Sequence, residues 1–243
     1  MIRSQSSPTP SSHDALAAAA RALEDQSAER ILRWAAEQYT PRLTFAASLG
    51  LEDVIVIDMA ARAGLPIDTF TLDTGLLFPE TYELKRRLEA RYGVTIRAVR
   101  PEFTVAEQAE REGDELWLRQ PDRCCDLRKV APLRATLSNF DAWITAIRRD
   151  QTPERANAPT VGWDGRFGLV KINPLVRWTF GEVQAYVAAH AIPYNPLHDQ
   201  SYPSIGCVPC TSPVRPGEDP RSGRWRGKEK TECGLHLKLT PTT

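Results

Sequence analysis

Leu43-Thr-Phe-Ala-Ala-Ser48-Leu-Gly50-Leu-Glu52-Asp53-Val-Ile-Val-Ile-Asp-Met-Ala-Ala-Arg62 decides the fold. Its first five residues are a short apolar run that reads as a buried strand. Ser48-Leu-Gly50 is a turn, and a helix is expected from about Glu52 to Arg62. Working outward, residues 67–72 and 94–99 read as strands flanking a helix over 79–92. Residues 142–147 and 169–172 read as further strands, followed by a helix over 180–190. Upstream, the spacing of Leu16, Ala19, Leu23, Ile31 and Ala35 fits a helical hairpin or an interrupted helix over 14–38. Strand alternating with helix predicts an α/β fold, a parallel sheet with helices on both faces. The last forty residues, rich in Pro, Gly, Cys and Arg, break the pattern and are expected to form an irregular C-terminal tail or lid.

Composition narrows the class. The chain has 243 residues, 31 Lys+Arg against 31 Asp+Glu and a formal net charge of zero, which argues against a general nucleic-acid or anionic-membrane binder. Its longest uninterrupted apolar run, Ala15 to Ala20, falls far short of the roughly 20 residues of a bilayer span. The opening MIRSQSSPTPSS has no apolar stretch of a secretory signal, so residues 1–12 are expected to be disordered and the protein cytoplasmic. The expected organisation is then an α/β domain over 13–210 and a mobile tail over 211–243.

Ligands of open α/β sheets bind beyond the carboxyl ends of the strands, so the strand-to-helix turns are the first candidates. Ser48-Leu-Gly50-Leu-Glu52-Asp53 opens a helix whose N–H groups can hold a phosphate or sulfate, although ordinary N-capping uses the same residues. Leu72-Asp73-Thr-Gly75 ends the next strand in the same way. Ile147-Arg148-Arg149-Asp-Gln151 offers two guanidiniums to an anion, or is a solvated charge cluster.

Five cysteines are too few for a disulfide scaffold of this length, and the number is odd. Cys124-Cys125 is an adjacent pair and Cys207-Val-Pro-Cys210 a CxxC. Four thiolates suit tetrahedral zinc or an iron–sulfur cluster, and adjacent cysteines reach two irons more easily than one ion. The fifth, in Glu-Cys233-Gly-Leu-His236, follows a run of five bases and one acid over 221–230. Positive neighbours favour a thiolate, so Cys233 is a candidate nucleophile toward an anionic substrate.

Together with Tyr202-Pro-Ser-Ile-Gly-Cys207, Arg221-Ser-Gly-Arg224-Trp, Phe78-Pro-Glu-Thr-Tyr82 and Ile192-Pro-Tyr-Asn-Pro-Leu-His198-Asp, these segments resemble the assimilatory adenylylsulfate (APS) reductases. Those enzymes belong to the wider phosphoadenylylsulfate (PAPS) reductase family, and the resemblance runs from about residue 43 to His236. It implies an adenine nucleotide alpha hydrolase-like fold and thioredoxin-dependent reduction of APS to sulfite and AMP in sulfate assimilation. It also implies that Cys233 is the nucleophile, forming a cysteine S-sulfonate. Lys129, Arg221, Arg224 and His236 match the family's sulfate-binding residues. Ser48, Glu52, Asp53, Asp73, Arg148, Arg149 and Gln151 lie on its nucleotide loops. Cys124, Cys125, Cys207 and Cys210 match the ligands of a [4Fe–4S] cluster, to which Lys129, four residues after Cys125, would link the substrate. Ala146 and Thr152 depart from the Gly and Ser usual in the arginine loop. No thioredoxin-like segment follows Thr243, so the donor is expected to be a separate protein. The alternatives are PAPS as substrate, an RNA-directed sulfur transferase on the same sheet, and a zinc-stapled module without catalysis.

Overall fold

The structure is a computed structural model that describes residues 10–230 and 232–235. Helices α1 (Pro10–Leu23) and α2 (Ala28–Tyr39) precede β1 (Leu43–Ala46). The expected hairpin breaks at Ser27, whose hydroxyl accepts from the Arg30 N–H and caps α2. β1 leads into α3 (Leu51–Arg62), β2 (Asp68–Leu72), α4 (Pro79–Tyr92) and β3 (Ile96–Val99). Proline at the first turn and left-handed Gly93 at the end delimit α4 where the sequence reading placed it.

A helical stretch that the sequence reading passed over comes next. It comprises α5 (Val105–Glu112), α6 (Leu116–Arg119), α7 (Pro121–Cys125), a π-helical turn (Asp126–Val130) and α8 (Ala131–Leu137). β4 (Ala142–Ile144), β5 (Val161–Asp164), β6 (Leu169–Ile172) and α9 (Phe180–Ala189) complete the domain.

The sheet order is β3-β2-β1-β4-β6-β5. All neighbours are parallel except the β5–β6 edge pair. Alternate strand residues enter two separate apolar clusters, as a sheet covered on both faces requires. Leu43, Phe45, Ala142, Ile144, Val170 and Ile172 pack with α2, α3, α4 and α9, while Phe70, Trp143 and Leu169 pack with Leu133 and Leu137 of α8. No helix among the described residues is long and apolar enough to cross a membrane.

Chain order reverses between β1 and β4, because β2 and β3 extend to one side of the pair and β6 and β5 to the other. Such a reversal leaves a crevice at the carboxyl ends of the two central strands. Residues 211–230 and 232–235 pack over that crevice. Thr211 pairs with Arg224 in an antiparallel bridge, Trp225 N donates to Cys210 O at 3.1 Å, and the Trp225 ring is buried.

Candidate active site

A cavity of about 380 Å³ occupies the crevice. Its floor is the β1 turn (Ala47, Ser48, Gly50) and the start of α3, with Thr145 to Arg148 after β4 on one side and Asp219 to Arg224 of the tail above. The turn is held from beneath. Leu49 is buried with φ 65°, a left-handed conformation uncommon for a branched side chain. Asp53 stabilises that conformation, with one carboxylate oxygen accepting from Ser48 N (2.9 Å), Ser48 Oγ (2.6 Å) and Gly50 N (3.0 Å). Burial pushes the Asp53 pKa up, and these hydrogen bonds oppose it. The twelve-residue α3 thus presents its N-terminus to the cavity, a favourable place for an anion.

The loop after β4 separates its two arginines. Arg148 is buried, paired through Nη1 with Glu52 and through Nε with Asp150 at 2.9 Å, and lines the cavity. Arg149 turns the other way, to Glu24 at 2.5 Å and the Ala158 carbonyl at 2.9 Å, and is not among the cavity residues. Gln151 Oε1 accepts from Arg148 N (3.0 Å), and its Nε2 donates to Glu52 (3.1 Å). Asp73 also stands outside the lining. It accepts from Gly75 N (3.1 Å), Tyr82 Oη (2.7 Å) and Arg100 Nε (3.1 Å), thereby shaping the turn after β2.

The cysteine pairs come together beside Lys129, behind the cavity lining rather than in it. Cys124 and Cys125 close α7, Cys207 precedes the one-turn helix Val208–Cys210, and Cys210 ends it. Burial pushes the Cys124, Cys125 and Cys210 thiols up to about 11; the Cys207 thiol pushes each the same way, and Lys129 opposes at Cys125 and Cys210. Cys207 differs. Burial acts to raise its pKa, but Lys129 and a 3.3 Å contact with Thr74 Oγ1 leave it lowered. The turn that delivers Lys129 is π-helical rather than α-helical, a local irregularity frequent at functional sites. Buried Arg128 on the same turn donates to Thr74 O at 2.5 Å and to Gln108 Oε1 at 3.1 Å, tying the cysteine corner to β2 and α5. Burial lowers the Lys129 pKa, but the thiols of Cys207, Cys233 and Cys125 outweigh it and leave the ammonium favoured. Among the described residues, no three His, Cys, Asp or Glu side chains are arranged to hold a single metal ion.

The tail supplies the remaining wall. Arg224 lies across Gly206, where any Cβ would collide with its guanidinium. It reaches Ser204 Oγ (3.3 Å) and stacks 4.6 Å from the Trp225 ring centroid. Arg221 is 3.3 Å from Glu232, and half-buried Cys233 faces the same cavity as Lys129, Arg221 and Arg224. The described tail residues thus pack against the domain. His236 lies outside the described residues.

The lining also includes residues that the expected site lacked, among them Arg155, Glu232 and His198, whose Nε2 is buried without a hydrogen-bond partner. The His198 motif was legible in the sequence. The Arg155–Glu232 pair joins residues 77 apart, and nothing local marks it.

Comparison with known proteins accords with this geometry. The phosphoadenosine phosphosulfate reductase domain family matches residues 42–213. Adenosine 5'-phosphosulfate reductase from Halalkalibacterium halodurans is 48% identical over 217 residues, covering 89% of this chain and 94% of its own. Adenosine 5'-phosphosulfate reductase 1 from Bacillus subtilis is 49% identical over 207 residues, covering 85% and 89%. Among solved structures, the phosphate complex of phosphoadenylyl-sulfate reductase from Candida auris superposes with a TM-score of 0.74 at 32% identity, over 86% of this chain and 99% of that one.

Proposed function

The chain belongs to the phosphoadenosine phosphosulfate reductase domain family, and we propose that it reduces APS to sulfite and AMP through an S-sulfonate on Cys233. The observation that carries this reading is the placement of the half-buried Cys233 thiol on a cavity shared with Lys129, Arg221 and Arg224. An APS sulfur is surrounded by anionic oxygens that repel a thiolate. Fixed cations at those oxygens lower that barrier without reorganising during reaction.

In the first half-reaction the Cys233 thiolate attacks the sulfur. An S–S bond forms, the S–O bond to the phosphate breaks, and AMP leaves with the electron pair. The turn Ser48–Gly50, the α3 N-terminus and Arg148 would hold the AMP phosphate and sugar, with Glu52 and Gln151 fixing Arg148. In the second, a thioredoxin thiolate attacks Cys233 Sγ and sulfite departs with the S–S pair. The second thioredoxin thiol then resolves the mixed disulfide, so thioredoxin leaves oxidised and Cys233 reduced. That chemistry belongs in a reducing compartment, here the cytoplasm, with a separate thioredoxin as donor.

The four-cysteine corner fits a [4Fe–4S] cluster. Its donors are all thiols, desolvated and mutually repelling, and the cations beside them, Arg128 and Lys129, match the negative charge of a thiolate-ligated cluster. When bound, the cluster supplies fixed charge beside the substrate. Lys129 would bridge that charge and the sulfate oxygens. Arg149 and Asp73 enter this reading as supports of the loops rather than as ligands, given their pairing with Glu24 and with Arg100 and Tyr82.

Replacing Cys233 by Ser should abolish sulfite release while AMP binding and iron content, about four per chain, stay unchanged. Sulfite release surviving in that variant removes the nucleophile assignment. A colourless protein carrying zinc instead of iron removes the cluster. Competition between APS and its 3'-phosphorylated form decides the substrate, and preferential turnover of APS is expected from the relatives that share 48–49% of their residues with this chain.

A further inference from the structure

We propose that Arg155 and Glu232 form a buried latch that seats the tail, making Arg155 a positioning residue for Cys233. This rests on the reading of Cys233 as the nucleophile. Arg155 ends a short helical turn in the loop after β4, and Glu232 immediately precedes Cys233. Both are buried, at 7% and 5% exposure, although neither belongs to the sheet. Arg155 Nη2 lies 2.8 and 3.0 Å from the two Glu232 carboxylate oxygens. Its Nη1 donates to Gln151 Oε1 at 2.5 Å. Gln151 in turn holds Glu52 and the Arg148 backbone, so one chain of polar contacts runs from the expected nucleotide loop to the residue beside the nucleophile.

A buried ion pair contributes little net stability, because desolvating both partners offsets most of their attraction, but losing one partner strands the other's charge. What such a pair does well is define one geometry. Adjacent Cα atoms are about 3.8 Å apart, so fixing the Glu232 carboxylate fixes the Cys233 backbone to within one residue. On the other side of the thiol stands Gly234, at φ 82°, a conformation that glycine adopts without strain. Cys233 thus sits between an anchored residue and a permissive one. Arg221, 3.3 Å from the same carboxylate, reinforces the anchor from within the tail. Arg155 is the partner that reaches it from the domain.

The test uses the full-length, cluster-containing protein and the variants Arg155→Gln, Arg155→Lys, Glu232→Gln and the double Arg155→Gln/Glu232→Gln. Two measurements are made on each. Limited proteolysis without substrate reports cleavage within 211–235, and single-turnover AMP release from APS is compared with AMP affinity by calorimetry. Each Gln variant should be cleaved in the tail at least roughly 30-fold faster, the low end for truncating one partner of a buried charge pair. AMP release should slow by a similar factor, with AMP affinity held within about threefold. The double variant should be no worse than either single one, as expected for residues acting through one contact. Arg155→Lys should recover part of both effects.

Unchanged tail cleavage in both single variants overturns the latch. So does a loss of AMP affinity matching the loss of rate, which would put Arg155 on the nucleotide, or additive effects in the double variant. If Arg155→Gln fails to fold, Glu232→Gln decides the matter from the tail side. Proteolysis needs no turnover, so a latched tail in a protein whose AMP release ignores Cys233 would refute the reaction and leave the latch standing.

Discussion

The sheet and the tail both border the cavity, and they are held in place by different forces. In the sheet, Phe45, Phe70, Trp143 and Ile144 are at most 1% exposed and pack in two apolar clusters. The described tail residues, 211–230 and 232–235, bury one large apolar side chain, Trp225, and half-bury Leu235. Its other ties are polar. Arg226 reaches Ser212, Pro213 and Glu218, Lys230 pairs with Asp122, and Glu232 pairs with Arg155 and Arg221. Apolar area makes the sheet a permanent scaffold. Paired polar groups give the tail one defined seat at a small net free energy, which suits a segment whose thiol must meet a nucleotide and then another protein.

The comparison breaks most visibly in the sheet. Phe45→Ala removes a fully buried ring and should cost about 3–5 kcal/mol. A large fall in the unfolding midpoint of the whole chain, followed by circular dichroism, is the expected result. A shift as small as that of a surface substitution would mean that the sheet does not carry the stability assigned to it.

Trp225→Ala should behave differently although its ring is nearly as buried, at 4%. Arg224 and Lys230 lie over that ring at 4.6 and 5.3 Å, so its loss loosens Arg224 from the cavity wall and Lys230 from its seat beside Asp122. Tail cleavage should accelerate roughly tenfold or somewhat more, in line with the ~0.5–2 kcal/mol of a cation–π contact and the loss of packing. The global midpoint should hardly move. If it falls as far as in Phe45→Ala, the tail is part of the cooperative core and the distinction between the two regions fails.

The same division explains what could be read from the sequence. Apolar runs such as Leu43-Thr-Phe-Ala and Leu169-Val-Lys-Ile announce strands because burial is a property of the run itself. β5, Val161-Gly-Trp-Asp164, escaped because an antiparallel edge strand of four residues with glycine and aspartate lacks that run. The stretch from α5 to α8 escaped because its helices are short and interrupted, with Glu115 in a left-handed conformation between two of them. Residues 142–147 were read as one strand, but the ladder ends at Ile144, where the chain leaves to form the cavity wall. At the site, cysteine spacing is a local signal and was legible. Which of two adjacent arginines faces inward is not local. Arg148 pairs with Glu52, and Arg149 with Glu24, through partners 96 and 125 positions away.

The smallest prediction concerns the one lysine that, among the described residues, lies within the sheet. Lys171 of β6 is 9% exposed, with Nζ 5.1 Å from the Trp143 ring centroid on the cavity floor. Burial brings its pKa down to about 8, with Arg155 and Arg166 pushing the same way and Asp164 and Glu232 opposing. A lysine in the unfolded chain titrates near 10.4. Between those two values the unfolded state carries the extra proton, so stability rises with pH. Relative to Lys171→Met, which has nothing to titrate there, the wild-type protein should therefore gain stability from pH 7 to pH 9, by about 1 kcal/mol. The difference in unfolding midpoint between the two proteins, measured at both pH values, reads this directly, and any constant cost of leaving Asp164 behind cancels. A difference that stays flat would show that the field of Asp164 and Glu232 holds Lys171 fully charged at both pH values. The charges of the sheet would then be as well matched as those of the tail.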